Sequence, residues 1–294
     1  MRNIQFAPDD DIIDICRDNV FKAAFTRDNP LSQGALKRLI SAYIGRDVEL
    51  IAVNANEAPV AGIQDRQIRY DIHVKLDGKE PANVEMTLNP RNFEALRLEY
   101  YTARLFTGQD IRGRNKDYGD LFHTWQISLI GSKRLFPDQW GIHRFEYYDP
   151  EREIPLGGRT HIIVVELEKA EEFMKKGPGK MSGAEKWALF FRYLRDRQRR
   201  GLVNELLRDE EGIAMAGEVL LSISRDEVER ARLESEYKYE LDRQSFITNA
   251  RREGLAEGKA DALAEAARKM KQDGLESEKI RKYTQLSPEE IEKL

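Results

Sequence analysis

The stretch I-R-Y-D-I-H-V-K-L-D-G-K-E-P-A-N-V-E-M-T-L-N-P, residues 68–90, decides the fold. Apolar and polar side chains alternate on both sides of Asp77-Gly78. Tyr70, Ile72, Val74 and Leu76 precede it, and Val84, Met86 and Leu88 follow it. A period of two around an Asp-Gly pair predicts a β-hairpin, here with its turn across 77–82. The opposite face collects Asp71, His73, Glu85 and Thr87, with Lys75 close by. Pairing about that turn sets Asp71 opposite Thr87 and His73 opposite Glu85. Asp71 and Glu85 are then diagonal neighbours, ~7–8 Å apart at Cα. Two such carboxylates can share a Mg²⁺ ion through oxygen ligands at ~2.0–2.1 Å, with water completing the shell. An ion held there polarises a phosphodiester and lowers the pKa of the attacking water. An antiparallel hairpin also turns one polar face to water without any function, so the alternation leaves both readings open.

Outward from the hairpin, the period changes to that of helices. Upstream, Val20, Phe21, Ala24 and Phe25 form one apolar stripe and Leu36, Leu39, Ile40 and Tyr43 another, separated by Asn29-Pro30 and stopped at Gly45. Residues 48–53 suit a strand. Downstream, 91–107 reads as a helix, and 121–130, 142–148 and 160–167 read as strands. The last of these contains the nearly continuous apolar run H-I-I-V-V-E-L expected of a central strand. Beyond Glu168 only helices are expected, over ~182–198, ~202–221 and ~224–270, after a linker-like K-K-G-P-G-K-M-S-G at 175–183. Ser224 to Glu227 reads as a capping box opening the longest helix, Ser277 as a cap, and Ser287-Pro-Glu-Glu290 as a second capping box. The order implies an α/β core over 1–170, a helical extension over 171–250 and a helical tail over 251–294.

Composition narrows the function classes. Hydrophobic residues make up 40% and charged residues 34%, which supports a packed core under a charged surface and excludes a disordered chain. The net charge is −4, so nucleic-acid binding would have to come from a local basic patch. The single cysteine, Cys16, excludes an internal disulfide and a cysteine-based zinc site. His73, His123, His143 and His161 lack metal-ligand spacing. No apolar run approaches the ~18 residues of a membrane span, and the N-terminus lacks an apolar leader, so no membrane partner and a cytoplasmic location are expected.

The chain resembles the PD-(D/E)xK nuclease superfamily and, within it, the recombination-promoting nuclease and putative transposase family. R-D-N-V-F-K-A-A-F (17–25) is similar to the family's opening helix. R-Y-D-I-H-V (69–74) resembles the strand of the motif aspartate, and N-V-E-M-T (83–87) the strand of the E-x-Q or E-x-K element. F-E-A-L-R-L-E-Y-Y-T-A-R-L-F (93–106) resembles the next helix and I-I-V-V-E-L-E-K (162–169) the closing strand. D-E-V-E-R-A-R (226–232), R-E-G-L-A-E-G (252–258) and M-K-Q-D-G (270–274) also match the family's tail. The resemblance implies a restriction-endonuclease-like core, a mixed central sheet flanked by helices, followed by an all-helical C-terminal region. It also implies Mg²⁺-dependent cleavage of DNA, with Asp71 and Glu85 as the metal-binding acids and Asp18 extending the cluster. Thr87 occupies the position where the superfamily usually carries Lys and this branch often carries Gln. Threonine has neither a cation nor glutamine's reach, and offers one hydroxyl donor.

Other residues carry paired readings. Arg97 suits phosphate contact and Tyr100 or Tyr101 substrate positioning, against an ion pair and core packing. R-Y-L-R-D-R-Q-R-R (192–200), with Arg195, Arg197 and Arg199, suits the DNA backbone, against a solvated helix end. His73 is expected to be a polar neighbour and not a ligand. The tail over 275–294 is too acidic for a DNA reader and suits packing or homo-oligomerisation. A DNA endonuclease is the reading, and a DNA-binding protein that kept the fold without the chemistry is the alternative.

Overall fold

A computed structural model describes residues 4–54, 71–90, 92–111 and 115–294. The beginning of the expected strand at 68–70, with Tyr70, and the expected helix start at Arg91 lie outside the described residues. The chain forms two compact units, one through residue 233 and one from 234 onward. In chain order the elements are α1 (Asp18–Phe25), α2 (Pro30–Ile44), β1 (Leu50–Asn54), β2 (Ile72–Leu76), β3 (Glu80–Thr87), α3 (Glu94–Thr107), β4 (Thr124–Ile130) and β5 (Ile142–Phe145). They continue with β6 (Tyr148–Asp149), β7 (Ile154–Pro155), β8 (Thr160–Glu166), α4 (Glu171–Met174), α5 (Gly183–Tyr193), α6 (Arg200–Asp209), α7 (Glu211–Arg225), α8 (Glu227–Gln272), α9 (Ser277–Thr284) and α10 (Pro288–Glu292).

Six of the described strands form one mixed sheet in the order β1-β2-β3-β4-β8-β5. The central β3, β4 and β8 run parallel, and β1, β2 and β5 are antiparallel to their neighbours. Parallel neighbours need crossovers, and α3 supplies the one from β3 to β4. Period-two alternation then sorts the side chains. Val84 and Met86 of β3, Ile127 and Leu129 of β4, and Ile163 and Val165 of β8 share one face and one hydrophobic core with α1, α2, α5, α6 and α7. The other face receives α3, whose Leu98 packs with Ile130 and Val164.

The hairpin turn is tighter than the sequence suggests. Asp77 and Gly78 have φ of +49° and +76°, and the Lys79 amide donates to the Leu76 carbonyl at 2.9 Å. Positive φ at both central residues is the two-residue turn that suits the strand twist. Glu80, Pro81 and Ala82 therefore belong to the ladder of the hairpin. The register moves by two from the expected one: Ile72 pairs with Val84, His73 with Asn83 and Leu76 with Glu80. His73 thus does not face Glu85, and Asp71 does not face Thr87. Extending the same register brings Asp71 opposite Glu85. Because the shift is even, each side chain keeps its expected face.

Among the helices, α2 follows its signals. The Asn29 side chain accepts from the Ser32 amide, Pro30 opens the helix, and Gly45 closes it at φ +88°. Four expectations are corrected. The helix predicted over ~182–198 stops at Tyr193, and the one over ~202–221 is two helices broken at Glu210, whose backbone is extended. Ser224 does not cap α8: its hydroxyl donates to the Leu220 carbonyl and accepts from the Ile13 amide, while Asp226 accepts from the Val228 and Glu229 amides. Ser277 is the first residue of α9 and not its cap. The Ser287–Glu290 capping box forms as expected.

The boundary expected after 170 does not coincide with a break in packing, since one apolar cluster runs from Phe6 to Leu233. Its centre is aromatic. The Phe21 and Phe25 rings meet edge-on at 4.9 Å, and Phe25 lies 6.0 Å from Trp187. The second unit has a small core of its own, Ala267, Ile280 and Ile291. The exposed Phe246 lies on α8. Phe25→Ala is expected to cost about 3–5 kcal/mol in urea unfolding, whereas Phe246→Ala stays within about 0.5 kcal/mol. Equal losses for the two would contradict this assignment of the core.

Candidate active site

The hairpin turn and register bring Asp71 and Glu85 to one place. Asp71 precedes β2, and its Oδ2 accepts from the Met86 amide of β3 at 3.1 Å. Its Oδ1 lies 3.2 Å from Nζ of Lys22 on α1. The same ammonium donates to Asp18 Oδ2 at 3.0 Å, one turn back on α1. The opening helix therefore contributes two charges, Asp18 and Lys22, both standing beside Asp71. The helix can place them because Val20, Phe21, Ala24 and Phe25 are buried on its other side.

Glu85 sits on β3 with its side chain almost wholly buried. Its Oε1 accepts from Arg97 at 3.2 Å and its Oε2 from the Gln126 side chain at 3.2 Å. Arg97 of α3 also donates to the Thr87 hydroxyl at 3.1 Å and, through Nε, to Glu94 at 2.8 Å. Its guanidinium lies 5.0 Å from the centre of the Tyr101 ring. Gln126 in turn accepts from Asn83 at 3.1 Å. Ser128, paired with Glu85 in the β3–β4 register, has a buried hydroxyl oxygen without a hydrogen-bond partner.

These surroundings set the protonation. Burial pushes the Asp71 carboxyl up to about 7, helped by the charge of Asp18 and opposed by Lys22 and the Met86 amide. Burial pushes Glu85 up to about 8, with Arg97 opposing and Asp71 and Glu94 assisting. Burial works against the charge on Arg97, yet Glu85 and Glu94 outweigh it and raise its pKa. For Lys22, burial again opposes the charge and Asp71 and Asp18 overcome it. Two acids that repel each other, each balanced by one cation, make a site that favours further positive charge.

Among the described residues, no three His, Cys, Asp or Glu side chains gather into a metal cage. Mg²⁺ does not require one: it commonly takes one or two carboxylates and fills the remaining positions with water and substrate oxygens. Asp71 and Glu85 are hard oxygen donors of the right kind, and the unpartnered Ser128 hydroxyl adds polar capacity alongside.

The other expected residues are placed as follows. Thr87 is held by Arg97. Tyr101 is the tyrosine on Arg97, while Tyr100 is exposed. Arg195 pairs with Asp14 at 3.4 Å, and Arg199 lies 3.7 Å from Glu171 and over the Tyr193 ring. Arg197 and Arg199 lie in a short 3₁₀ turn between α5 and α6. His73 has its pKa lowered by burial and by Lys75.

Sequence reasoning gave no role to Lys22, Gln126 or Glu94. Each left a signal: a lysine four residues after an acid, a glutamine inside the apolar strand T-W-Q-I-S-L-I, and an acid three residues before Arg97.

A family model described as PD-(D/E)XK nuclease family transposase matches residues 15–250. No curated protein and no solved structure matches the chain.

The raised pKa values carry a sign. Asp71 and Glu85 bind protons more tightly in the folded chain than in the unfolded one. The stability they contribute is complete below the unfolded carboxyl value of about 4 and is lost as pH rises through about 7 and about 8. In chelator, the Tm should fall between mildly acidic and mildly alkaline pH, and an Asp71→Asn, Glu85→Gln double variant should fall less. Added Mg²⁺ should raise the wild-type Tm more at the alkaline end. Parallel pH profiles for wild type and variant would refute the site's electrostatics.

Proposed function

The chain belongs to the PD-(D/E)XK nuclease family of transposases, and we propose that it is a Mg²⁺-dependent DNA endonuclease serving recombination or mobile elements. The observation that carries this reading is the acid pair of the hairpin, half-buried Asp71 at the start of β2 and buried Glu85 on β3. Asp71 and Glu85 would hold the ion, and Asp18 would extend the cluster. When bound, the ion supplies Lewis-acid polarisation of the scissile phosphate and a lowered pKa for the attacking water. The protein's own groups do the rest. Gln126 and Arg97 fix the Glu85 carboxylate, the Met86 amide fixes that of Asp71, and Glu94 and Tyr101 hold Arg97 in place. Such supporting contacts keep ligand oxygens in one orientation, which costs nothing further when substrate arrives.

DNA would be drawn in by local positive charge, because the whole chain is acidic. The exposed arginines Arg195 and Arg199, with Arg197 between them, are the proposed backbone contacts, and exposed Tyr100 the proposed contact nearer the site. Homo-oligomerisation through the helical C-terminal region is proposed on the exposed Tyr239, Phe246, Ile247 and Leu255 of α8. The described residues contain no helix long and apolar enough to cross a membrane.

A second reading has one specific support. Thr87 brings no cation to the β3 position, so a DNA-binding protein that retains the fold without cleavage is the competing account.

A supercoiled plasmid and a divalent-metal titration separate the two. Wild type should nick the plasmid only with Mg²⁺, and Asp71→Asn and Glu85→Gln should each slow nicking at least ~10²-fold while remaining folded. Folded variants that cut as fast as wild type would remove the acid pair from the chemistry. Absence of cutting by wild type, with DNA still bound, would favour the binding protein. Replacing Arg195, Arg197 and Arg199 by Ala should flatten the plot of log K against log salt by ~0.9 for each phosphate that is no longer neutralised. An unchanged slope would make them a solvated surface.

A further inference from the structure

We infer that Lys22, delivered from α1, is the catalytic cation of this site, taking the place that Thr87 leaves without charge on β3. The inference rests on the nuclease reading above and assigns a residue to it.

A phosphodiester under attack accumulates negative charge on its non-bridging oxygens, and a fixed cation beside them lowers the barrier. On β3 no side chain near the acids can provide one. Thr87 is a short hydroxyl that already accepts from Arg97. Arg97 is nearby but committed: it donates to Glu85, Glu94 and Thr87. Moving it to a phosphate would leave the buried Glu85 and Glu94 carboxylates without their counter-charge, which is costly.

Lys22 meets the requirement differently. Its Nζ lies 3.2 Å from Asp71 Oδ1 and 2.9 Å from Asp18 Oδ1, so it stands directly at one of the two acids that define the site. Both of its carboxylate partners are themselves expected at the metal cluster. Its side chain keeps 28% of its exposure, whereas that of Glu85 is almost wholly buried. The helix that carries it is anchored in the core by Phe21 and Ala24, both fully buried. A lysine suits such a place. It is a compact point charge on a flexible stem with three donors, and can exchange a carboxylate for a phosphate oxygen by rotating its own bonds.

Two features argue against a merely structural pair. Asp18 is more than half exposed, and an ion pair on a surface helix turn stabilises little. And the same ammonium reaches across from α1 to an acid next to β2, a contact that helix stability does not need. In the free protein the Lys22 ammonium is shared between Asp18 and Asp71. With Asp71 engaged by a divalent ion, Lys22 would be free to leave that oxygen and turn its ammonium to a phosphate oxygen. Lys22 keeps its proton throughout and forms no covalent bond.

The test uses the full-length protein with Lys22→Met, Lys22→Arg, and the double variant Lys22→Met, Thr87→Lys. Lys22→Met should lower the single-turnover rate with Mg²⁺ by ~10²–10³-fold. By calorimetry it should bind Mg²⁺ at least as tightly as wild type, because a competing ammonium is gone. With Ca²⁺ replacing Mg²⁺, its slope of log K against log salt on a short duplex should be shallower by ~0.9. Lys22→Arg should keep the wild-type slope. Adding Thr87→Lys to Lys22→Met should recover at least tenfold in rate. A structural ion pair would instead lower the Tm and leave both rate and slope where they were, and that outcome overturns the assignment. So does a Lys22→Met protein that loses Mg²⁺ binding. If Lys22→Met fails to fold, Lys22→Gln carries the same measurements. If wild type cleaves nothing, the nuclease reading fails by itself. The salt slope in Ca²⁺ then still decides whether Lys22 touches phosphate: equal slopes for wild type and variant exclude it.

Discussion

The structure is organised around a buried acid. Glu85 lies on a central strand of the sheet, where a carboxylate removed from water is expensive unless it is paired and hydrogen-bonded. Arg97 and Gln126 meet its two oxygens. That requirement reaches into the rest of the fold. Arg97 has to arrive from α3, so α3 must cross the sheet on the Glu85 face. Leu98, the next residue, packs on Ile130 and Val164 and fixes that crossing. Glu94, one turn earlier, is buried with Arg97 and keeps the guanidinium charged and oriented. Gln126 requires β4 to run parallel beside β3 in a register that aligns it with Asn83. A single buried acid thus links the crossover helix, strand order and strand register.

The two faces of the sheet divide the work. The Val84–Ile127–Ile163 face is closed by α1, α2 and α5 to α7 and supplies the stability. The Glu85 face carries Asn83, Gln126 and Ser128, a polar strip that an ordinary core would not tolerate. Burial on that strip raises the pKa of Glu85, and burial at the start of β2 does the same for Asp71. The resulting proton affinity is a cost to the folded protein at neutral pH.

Local patterns made much of this legible in the sequence. The alternation of Ile72, Val74 and Leu76, the Asp-Gly turn and the helical stripe of Val20, Phe21, Ala24 and Phe25 depend on neighbouring residues alone, and all appear in the structure. What depends on precise pairing was less accessible. The turn could be read as six residues or two, and only the positive φ of Asp77 and Gly78 decides it, shifting the register by two. Ser224 fits a capping pattern in sequence, but the Ile13 amide claims its hydroxyl from more than two hundred residues away. The break between α6 and α7 at Glu210 has no Pro or Gly at the break itself to announce it. Asp71 and Glu85 stood out because they share a hairpin, whereas Lys22 and Gln126 reach the same place through tertiary contacts that no local period encodes.

Those tertiary contacts explain how a strand position can change without the site losing its charge balance. Each acid is balanced from a different helix: Asp71 by Lys22 of α1, and Glu85 by Arg97 of α3. The helices are anchored by apolar residues, Phe21 and Phe25 on one side and Leu98 on the other. The positions of the cations are therefore set by the packing on both faces of the sheet, and not by the identity of residue 87. With a threonine there, the hydroxyl accepts from Arg97. The two cations still differ in kind. Arg97 is held by several hydrogen bonds and lies against the Tyr101 ring. Lys22, on a flexible stem, stands between two carboxylates and keeps part of its side chain exposed.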